Sequence, residues 1–248
     1  MNKNILITGG TKGIGKNISS SLLENNFNVI CLSRYAAKDI NNKNFFHYEC
    51  DVSKSDEVFK TIQKIKEKFS SISGIVNNAG FSEWRPITKI DDKFLEKIFS
   101  TNLFSAFFVI RSCIDLMPED SSVINISSIA GKRGSINNSG YCSTKFAMNG
   151  MTQSLSKELG HKKIRVNAIC PVLIETPGLL KALDNGYSPA KLFDSTIDFL
   201  DNFKKANSAL PYLPDGSDVA EMVLYLLSEK AKSVTGQCIN LDCGVFPQ

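Results

Sequence analysis

The sequence predicts an α/β fold: a doubly wound parallel sheet of about seven strands with helices on both faces, in one domain. Three observations lead there. Short β-branched runs alternate with amphipathic segments from the first residues onward. The first of these runs ends in a glycine-rich turn that opens a helical pattern. No repeat or low-complexity linker divides the 248 residues. Strict alternation of strand and helix implies parallel strands joined by right-handed crossovers.

The elements follow in order. "KNILITGG" reads as the first strand, "GKNISSSLLENN" as the first helix and "FNVICLS" as the second strand. "FFHYEC" and "GIVNNAG" are further strands, separated by "SDEVFKTIQKIKEKF", whose apolar residues recur at three and four. "SSVINISS", "IRVNAICP" and "GQCINLD" complete the set. The longest irregular-looking stretch, Val172 to Asp215, follows the sixth strand. Open sheets bind ligands at the carboxyl ends of their strands, so this insertion is expected to cover a substrate.

Composition narrows the function. Hydrophobic residues make up 42% and charged residues 22%, with a net charge of +4, as in an ordinary globular chain. The lysines are interspersed with acids, so no nucleic-acid partner is expected. No apolar run approaches the ~20 residues of a membrane span, and the polar start is no signal peptide. A cytoplasmic protein with no membrane partner is the expectation. The seven cysteines, from Cys31 to Cys243, lie mostly in apolar stretches and read as reduced core residues. Cys238 and Cys243 have no second Cys/His pair beside them, and His47 and His161 lie far apart, so no metal is expected.

The glycine turn, "TGGTKGIG", places Gly9, Gly13 and Gly15 between the first strand and first helix. There the chain must turn sharply, bring backbone amides to a pyrophosphate and pack helix against strand. An NAD site usually offers an acid to the ribose hydroxyls ~20 residues further on. Here the second strand ends in Ser33-Arg34, and Lys12 lies in the glycine loop. A serine and two cations would hold a 2′-phosphate, so NADP(H) is expected in preference to NAD(H). Asp51 is placed to reach the adenine edge or to cap the next helix. "NNAG", Asn78 to Gly80 in its last three residues, lies against the adenosine ribose or is a plain turn.

The chemical end holds Tyr141 and Lys145, four apart on a predicted helix, with Ser128 thirteen residues before the tyrosine. "TGGTKGIG", "DVS", "NNAG", Asn102 in "STNLFSAF", Ser128, "YCSTK", "VNAICP", "IET" and "TGQCINLDCG" occur in that order. Together they resemble the short-chain dehydrogenases/reductases, in their short single-domain branch with a Rossmann-type fold. The resemblance implies hydride transfer between NADP(H) and a carbonyl or secondary alcohol on a small polar substrate. Tyr141 would exchange the proton, and Ser128 would steady the oxyanion. Lys145 would bind the nicotinamide ribose and favour tyrosinate, while Asn102 would hold a relay water. The cofactor would lie on Gly9, Thr11, Lys12, Gly13, Ile14 and Gly15, then on Ser33, Arg34, Asp51 and Val52. Asn78, Ala79 and Gly80 would continue that surface to Tyr141 and Lys145. Pro171, Ile174 and Thr176 match the segment that contacts carboxamide and pyrophosphate.

Two departures stand out. Val172 follows Pro171 where the family usually has glycine, which predicts a narrower or differently shaped pocket mouth. Cys243 precedes Gly244 where a glycine pair is usual. Family relatives of this length include 3-oxoacyl-acyl-carrier-protein reductases, whose acidic partner needs a basic docking patch. Glu119 and Asp120 would oppose such a carrier, whereas Lys132 and Arg133 would receive an anionic group or remain solvated. Trp84 and Arg85 line the pocket or pack on its rim. A small polar ketone or alcohol is the expected substrate, with the acyl-carrier reductase as the alternative. A non-catalytic NADP(H)-binding regulator is a lower alternative, because such proteins commonly lose the tyrosine or lysine. The resemblance also implies a homotetramer, built on the stretches around "FLEKIFSTNLFSAFFVIRS" and "YCSTKFAMNGMTQSLSKEL".

Overall fold

All seven anticipated strands are present in the computed structural model, which describes residues 2–37 and 39–247. They are β1 (Asn4–Thr8), β2 (Asn28–Ser33), β3 (Phe45–Glu49), β4 (Gly74–Asn77), β5 (Ser122–Ile126), β6 (Arg165–Pro171) and β7 (Cys238–Leu241). Their order across the parallel sheet is β3-β2-β1-β4-β5-β6-β7. The direction of winding therefore reverses between β1 and β4, which is where an open α/β sheet forms its ligand crevice.

The helices are α1 (Gly13–Glu24), α2 (Ser55–Lys68), α3 (Asp92–Phe99), α4 (Ser105–Cys113) and α5 (Ser139–Glu158). After β6 come α6 (Pro177–Leu183), α7 (Thr196–Asn207) and α8 (Gly216–Leu227). Strand alternation assigns them to two layers. Leu6, Ile30 and Ile75 stand in register and face a core shared with α2, α4 and α5. Ile5, Ile7 and Val29 face the opposite core with α1 and α8. Both faces are covered, which is why the central strands are apolar runs.

The insertion is more regular than its sequence suggested. Thr176 caps α6 by accepting the Leu179 amide at 3.2 Å, and Ser195 caps α7 through the Asp198 amide at 3.0 Å. The two helices share a small core of Ala182, Leu183, Phe199 and Leu200, closed by Trp84 from the loop after β4. A second cluster ties Val172 to Ile129 and Val245, with Phe203 and Leu213 packed against it. The segment thus stands as a lid over the carboxyl end of the sheet.

One helical stretch bears on the expectation that no apolar run is long enough to span a membrane. The continuous helical stretch Asp92–Leu116 is long and apolar enough, by length and composition, to cross a membrane. Within its most apolar window 44% of the residues are buried in the fold, and α4 packs on α2. A core helix meets the same criterion. A wider π turn at Ser100–Phe104 interrupts the stretch and carries Asn102.

Candidate active site

The cofactor end is built by β1 and α1. Gly9 and Gly13 have φ of +68° and +52°, the left-handed region that glycine enters freely. A Cβ at Gly15 would lie 2.2 Å from the Gly9 carbonyl, so only glycine lets the turn close. The first turn of α1 has no side-chain cap and no acid, leaving its amides and positive dipole end for an anion. Thr176 of the lid lies against this loop, 3.6 Å from where a Gly13 Cβ would stand.

Thr8 is a functional residue the sequence reading missed, because it reads as the last residue of a strand. Its Oγ accepts the amides of Asn78 and Ala79, each at 3.0 Å. The Asn78 amide group donates back to the Thr8 carbonyl at 3.0 Å and the Gly9 carbonyl at 3.1 Å. The "NNAG" turn and the glycine turn are thereby locked together across the switch point. This cradle presents free backbone amides and small residues to an anionic group at the start of α1.

In the glycine loop and at the end of β2, Lys12 and Arg34 are exposed and Ser33 is buried. The Ser33 hydroxyl donates to the Tyr35 carbonyl at 2.8 Å and lies 2.9 Å from His47 Nε2. Its proton is already used, so the cations remain the groups best placed for an anion. Asp51 Oδ1 accepts from the Ser53 amide and hydroxyl at 3.1 and 2.7 Å, a turn that leads into α2. Burial pushes its carboxyl up, but the Ser53 bonds and the Arg34 charge outweigh that and hold it low. Val52 is buried in the core, so only its backbone can face a ligand. Thr11 and Ile14 flank the loop half-buried, Gly80 is exposed, and Ile174 is buried at the root of the lid.

At the chemical end, Tyr141 and Lys145 lie on one face of α5, with Lys145 Nζ 5.7 Å from the Tyr141 ring centre. Lys145 is 5% exposed, and its ammonium donates to the Ile126 carbonyl at the end of β5 at 2.7 Å. Ser128 follows that strand, and its Oγ lies 3.5 Å from the Pro171 carbonyl while accepting the Ala130 amide at 3.1 Å. Asn102 is fully buried. Its amide group donates to the Phe81 carbonyl at 2.9 Å and to Thr144 at 3.3 Å, and its Oδ1 accepts the Phe81 amide at 3.0 Å. Both amide hydrogens are used, so a relay water at Asn102 would have to be held by the main chain of the π turn.

The electrostatics differ from the sequence expectation. Burial pushes the Tyr141 phenol up to about 12, with the Ser128 hydroxyl pulling it down only in part. Burial likewise pulls Lys145 down to about 8. In the protein alone, desolvation outweighs any help the lysine gives to tyrosinate.

Other charges also fall elsewhere than expected. Glu119 precedes β5, at the opposite end of that strand from Ser128, and pairs with Lys163 at 2.8 Å. It therefore has no bearing on the charge of the mouth. Lys132 donates to the Cys238 carbonyl at 2.6 Å, and the Arg133 guanidinium lies 5.4 Å from the Phe246 ring centre. Both turn toward the C-terminal segment. Trp84 is buried under the lid, and Arg85 pairs with Glu83 at 2.6 Å while lying over Phe94. Cys243 takes φ of +53° where a glycine would be at ease. Its carbonyl accepts the Ala209 and Leu210 amides at the end of the lid. Among the described residues no group of three His, Cys, Asp or Glu side chains could hold a metal ion.

Comparison with known proteins gives a consistent picture. A family model described as short chain dehydrogenase matches residues 3–185. The chain is 32% identical to L-2,3-butanediol dehydrogenase of Corynebacterium glutamicum, over 99% of both chains. It is 31% identical to 3-oxoacyl-acyl-carrier-protein reductase FabG of Chlamydia muridarum, covering 99% of this chain and 98% of that one. Ligand-free aldohexose dehydrogenase of Thermoplasma acidophilum superposes with a TM-score of 0.88 at 28% identity. That match covers 100% of this chain and 98% of the other.

Proposed function

The chain belongs to the short-chain dehydrogenase family, and from that premise we propose an NADP(H)-dependent reductase of small polar ketones, working in reverse on the alcohol. The observation that carries the reading is the pair of half-buried Tyr141 and buried Lys145 beside Ser128, at the sheet end that also carries the glycine cradle. NADPH, held by Gly9, Gly13 and Gly15 with Lys12 and Arg34 near its phosphate, would supply the hydride for the carbonyl carbon. The chain's residues manage the oxygen. Ser128 offers its hydroxyl to the carbonyl oxygen as negative charge gathers there. Tyr141, a phenol that is protonated at neutral pH and that desolvation makes a weaker acid still, gives its proton to that oxygen and completes the alcohol. Lys145 then returns a proton to the tyrosinate. Its pKa of about 8 suits it to gaining and losing a proton near neutral pH.

The preference for NADP(H) rests on Lys12 and Arg34, exposed beside the end of β2, which closes on Ser33 rather than on an acid, although the Asp51 carboxylate after β3 lies near Arg34. Val172 supports a small substrate, because its side chain joins Ile129 and Val245 at the lid's root where glycine would leave space. The acyl-carrier reductase is the second reading, supported by the likeness to FabG. Self-association is part of the proposal. Phe107 lines an apolar groove between α4 and α5 with Leu103, Ala147 and Met151, and is 43% exposed. A monodisperse monomer in light scattering would remove that part. Turnover is tested by NADPH oxidation against small ketones, sugar-like ketones and a 3-oxoacyl thioester. Turnover that disappears in Tyr141→Phe, with NADPH binding retained, is the expected result. Full activity in the variant would end the assignment.

A further inference from the structure

The last strand runs into a short return turn held together by one carboxylate. Asp242 follows β7 directly and is 7% exposed. Its Oδ1 accepts the Gly244 amide at 3.0 Å, its Oδ2 the Phe246 amide at 2.9 Å, and its carbonyl the Val245 amide at 3.1 Å. Three successive amides thus depend on a single residue. The far side of the turn is fixed as well. Asn240 Nδ2 donates to the Phe246 carbonyl at 2.6 Å, and the Arg133 guanidinium lies 5.4 Å from the Phe246 ring centre. Hydrogen bonds from backbone amides to an ionised carboxylate are of the stronger, charge-assisted kind, so this turn is stiff.

What the turn delivers is Val245, a buried side chain packed on Ile129 and Val172. Ile129 is the residue after Ser128, and Val172 is the residue after Pro171. Ser128 Oγ lies 3.5 Å from the Pro171 carbonyl, so Val245 grips the chain just beyond both sides of that contact. The start of the turn is anchored to the same place, because the Val172 amide donates to the Leu241 carbonyl at 3.2 Å. Ser128 itself lies beyond the last residue of β5. The ladder ends just before it, where the Ser127 amide donates to the Ile169 carbonyl at 2.8 Å. Past that bond, the serine is held by the short helical turn Ile129–Gly131 and by what packs behind it.

We propose that Asp242 is a positioning residue for carbonyl reduction, acting through Val245 to hold the Ser128 hydroxyl where the oxyanion develops. The inference rests on the carbonyl-reductase reading above. A hydroxyl that stabilises charge in the transition state works only when it is aimed in advance, and a displacement of about 1 Å can cost ~100-fold in rate. Removing the side chain behind Ile129 and Val172 frees the serine to drift by that order. The same turn also touches the end of the lid. The Cys243 carbonyl accepts the Ala209 and Leu210 amides, and a Cβ on Gly244 would lie 2.6 Å from the Ala209 Cβ. An effect through the lid is therefore the rival route. It differs in kind, because the lid would govern substrate and cofactor binding whereas the serine governs the chemical step.

The test measures steady-state and single-turnover NADPH oxidation with the ketone of the panel above that wild type reduces fastest. The variants are Val245→Ala, Asp242→Ala and Asp242→Asn, each alone and combined with Ser128→Ala, with NADPH affinity followed by its fluorescence. Val245→Ala is expected to lower kcat roughly 10- to 100-fold, leaving KM and the NADPH Kd nearly unchanged. Asp242→Ala lowers kcat at least as far, and Asp242→Asn, which keeps one acceptor oxygen, loses less. Without Ser128 the group being positioned is gone, so Val245→Ala adds little to the loss already caused by Ser128→Ala. Should Asp242→Ala fail to fold, Val245→Ala, which removes only two methyl groups, decides the matter. An unchanged kcat in Val245→Ala overturns the positioning role. So does a loss that persists in full without Ser128, or one carried by KM and NADPH affinity, since either assigns the turn to the lid. In each of these cases turnover in wild type leaves the reductase reading standing. If no carbonyl compound consumes NADPH, that reading fails and the positioning role falls with it.

Discussion

Replacing Lys145 with methionine should stabilise the cofactor-free protein at neutral pH while destroying its chemistry. Burial lowers the lysine from 10.5 to about 8. A difference of that size is about 3 kcal/mol, at 1.36 kcal/mol per pH unit. The direction follows from proton linkage. Between about pH 8 and 10.5 the unfolded chain holds a proton that the folded chain has released, so stability rises with pH across that window. Below about pH 8 both states hold the proton, and the folded state bears the full penalty. Methionine fills the same space without a charge but forfeits the 2.7 Å bond to the Ile126 carbonyl, worth about 1 kcal/mol. The net gain is about 2 kcal/mol at pH 7, or roughly 4–8 °C in Tm for a chain of this length. Thermal melts of both proteins from pH 6.5 to 10 would show the gap shrinking as pH rises. A variant less stable than wild type at pH 7, or a gap independent of pH, would refute the reasoning.

Three further expectations concern the scaffold and the cofactor end. Thr8→Val strips two amides of their acceptor and should cost about 2–5 kcal/mol. The loss would show as a lower urea midpoint and weaker NADPH binding, both restored by Thr8→Ser, and an unchanged midpoint would mean another acceptor serves those amides. Cys243→Gly relieves a φ of +53° and should raise stability by up to about 1 kcal/mol after glycine's entropy is counted. Cys243→Ala should show no such gain, and equal effects would assign the change to the side chain instead. Arg34→Ala should weaken NADPH relative to NADH by about 1.5–3 kcal/mol, roughly 10- to 100-fold. An unchanged ratio of dissociation constants in titration calorimetry would place the 2′-phosphate elsewhere.

The central strands were legible because they bury both faces, which favours stretches with little exposed surface such as Asn28–Ser33 and Arg165–Pro171. The glycine turn was legible for a steric reason, visible at Gly15, where any side chain would strike the Gly9 carbonyl. The lid helices were not. Pro177–Leu183 is too short to display a period, and both lid helices rest on caps and on Trp84, a residue far off in sequence. Thr8 illustrates a second limit. Its hydroxyl bridges segments brought together only by the folded sheet, and nothing in local pattern marks it, whereas Asn102 was marked by its motif and only its bonds to Phe81 needed the fold. Glu119 was misread for a similar reason: distance along the chain from Ser128 hid the fact that a whole strand separates them in space. The Tyr141–Lys145 spacing was plain in sequence, but the shift of both groups comes from burial, which spacing cannot reveal.

The most direct measurement of the central claim follows the hydrogen itself. NADPH carrying deuterium at the reactive C4 position is supplied with a ketone that the enzyme turns over, and the alcohol is examined by mass spectrometry and NMR. Hydride transfer at this site predicts one deuterium on the carbinol carbon of each product molecule, with no incorporation in Tyr141→Phe. Alcohol formed without deuterium, or tight NADPH binding with no alcohol from any carbonyl compound, would contradict it.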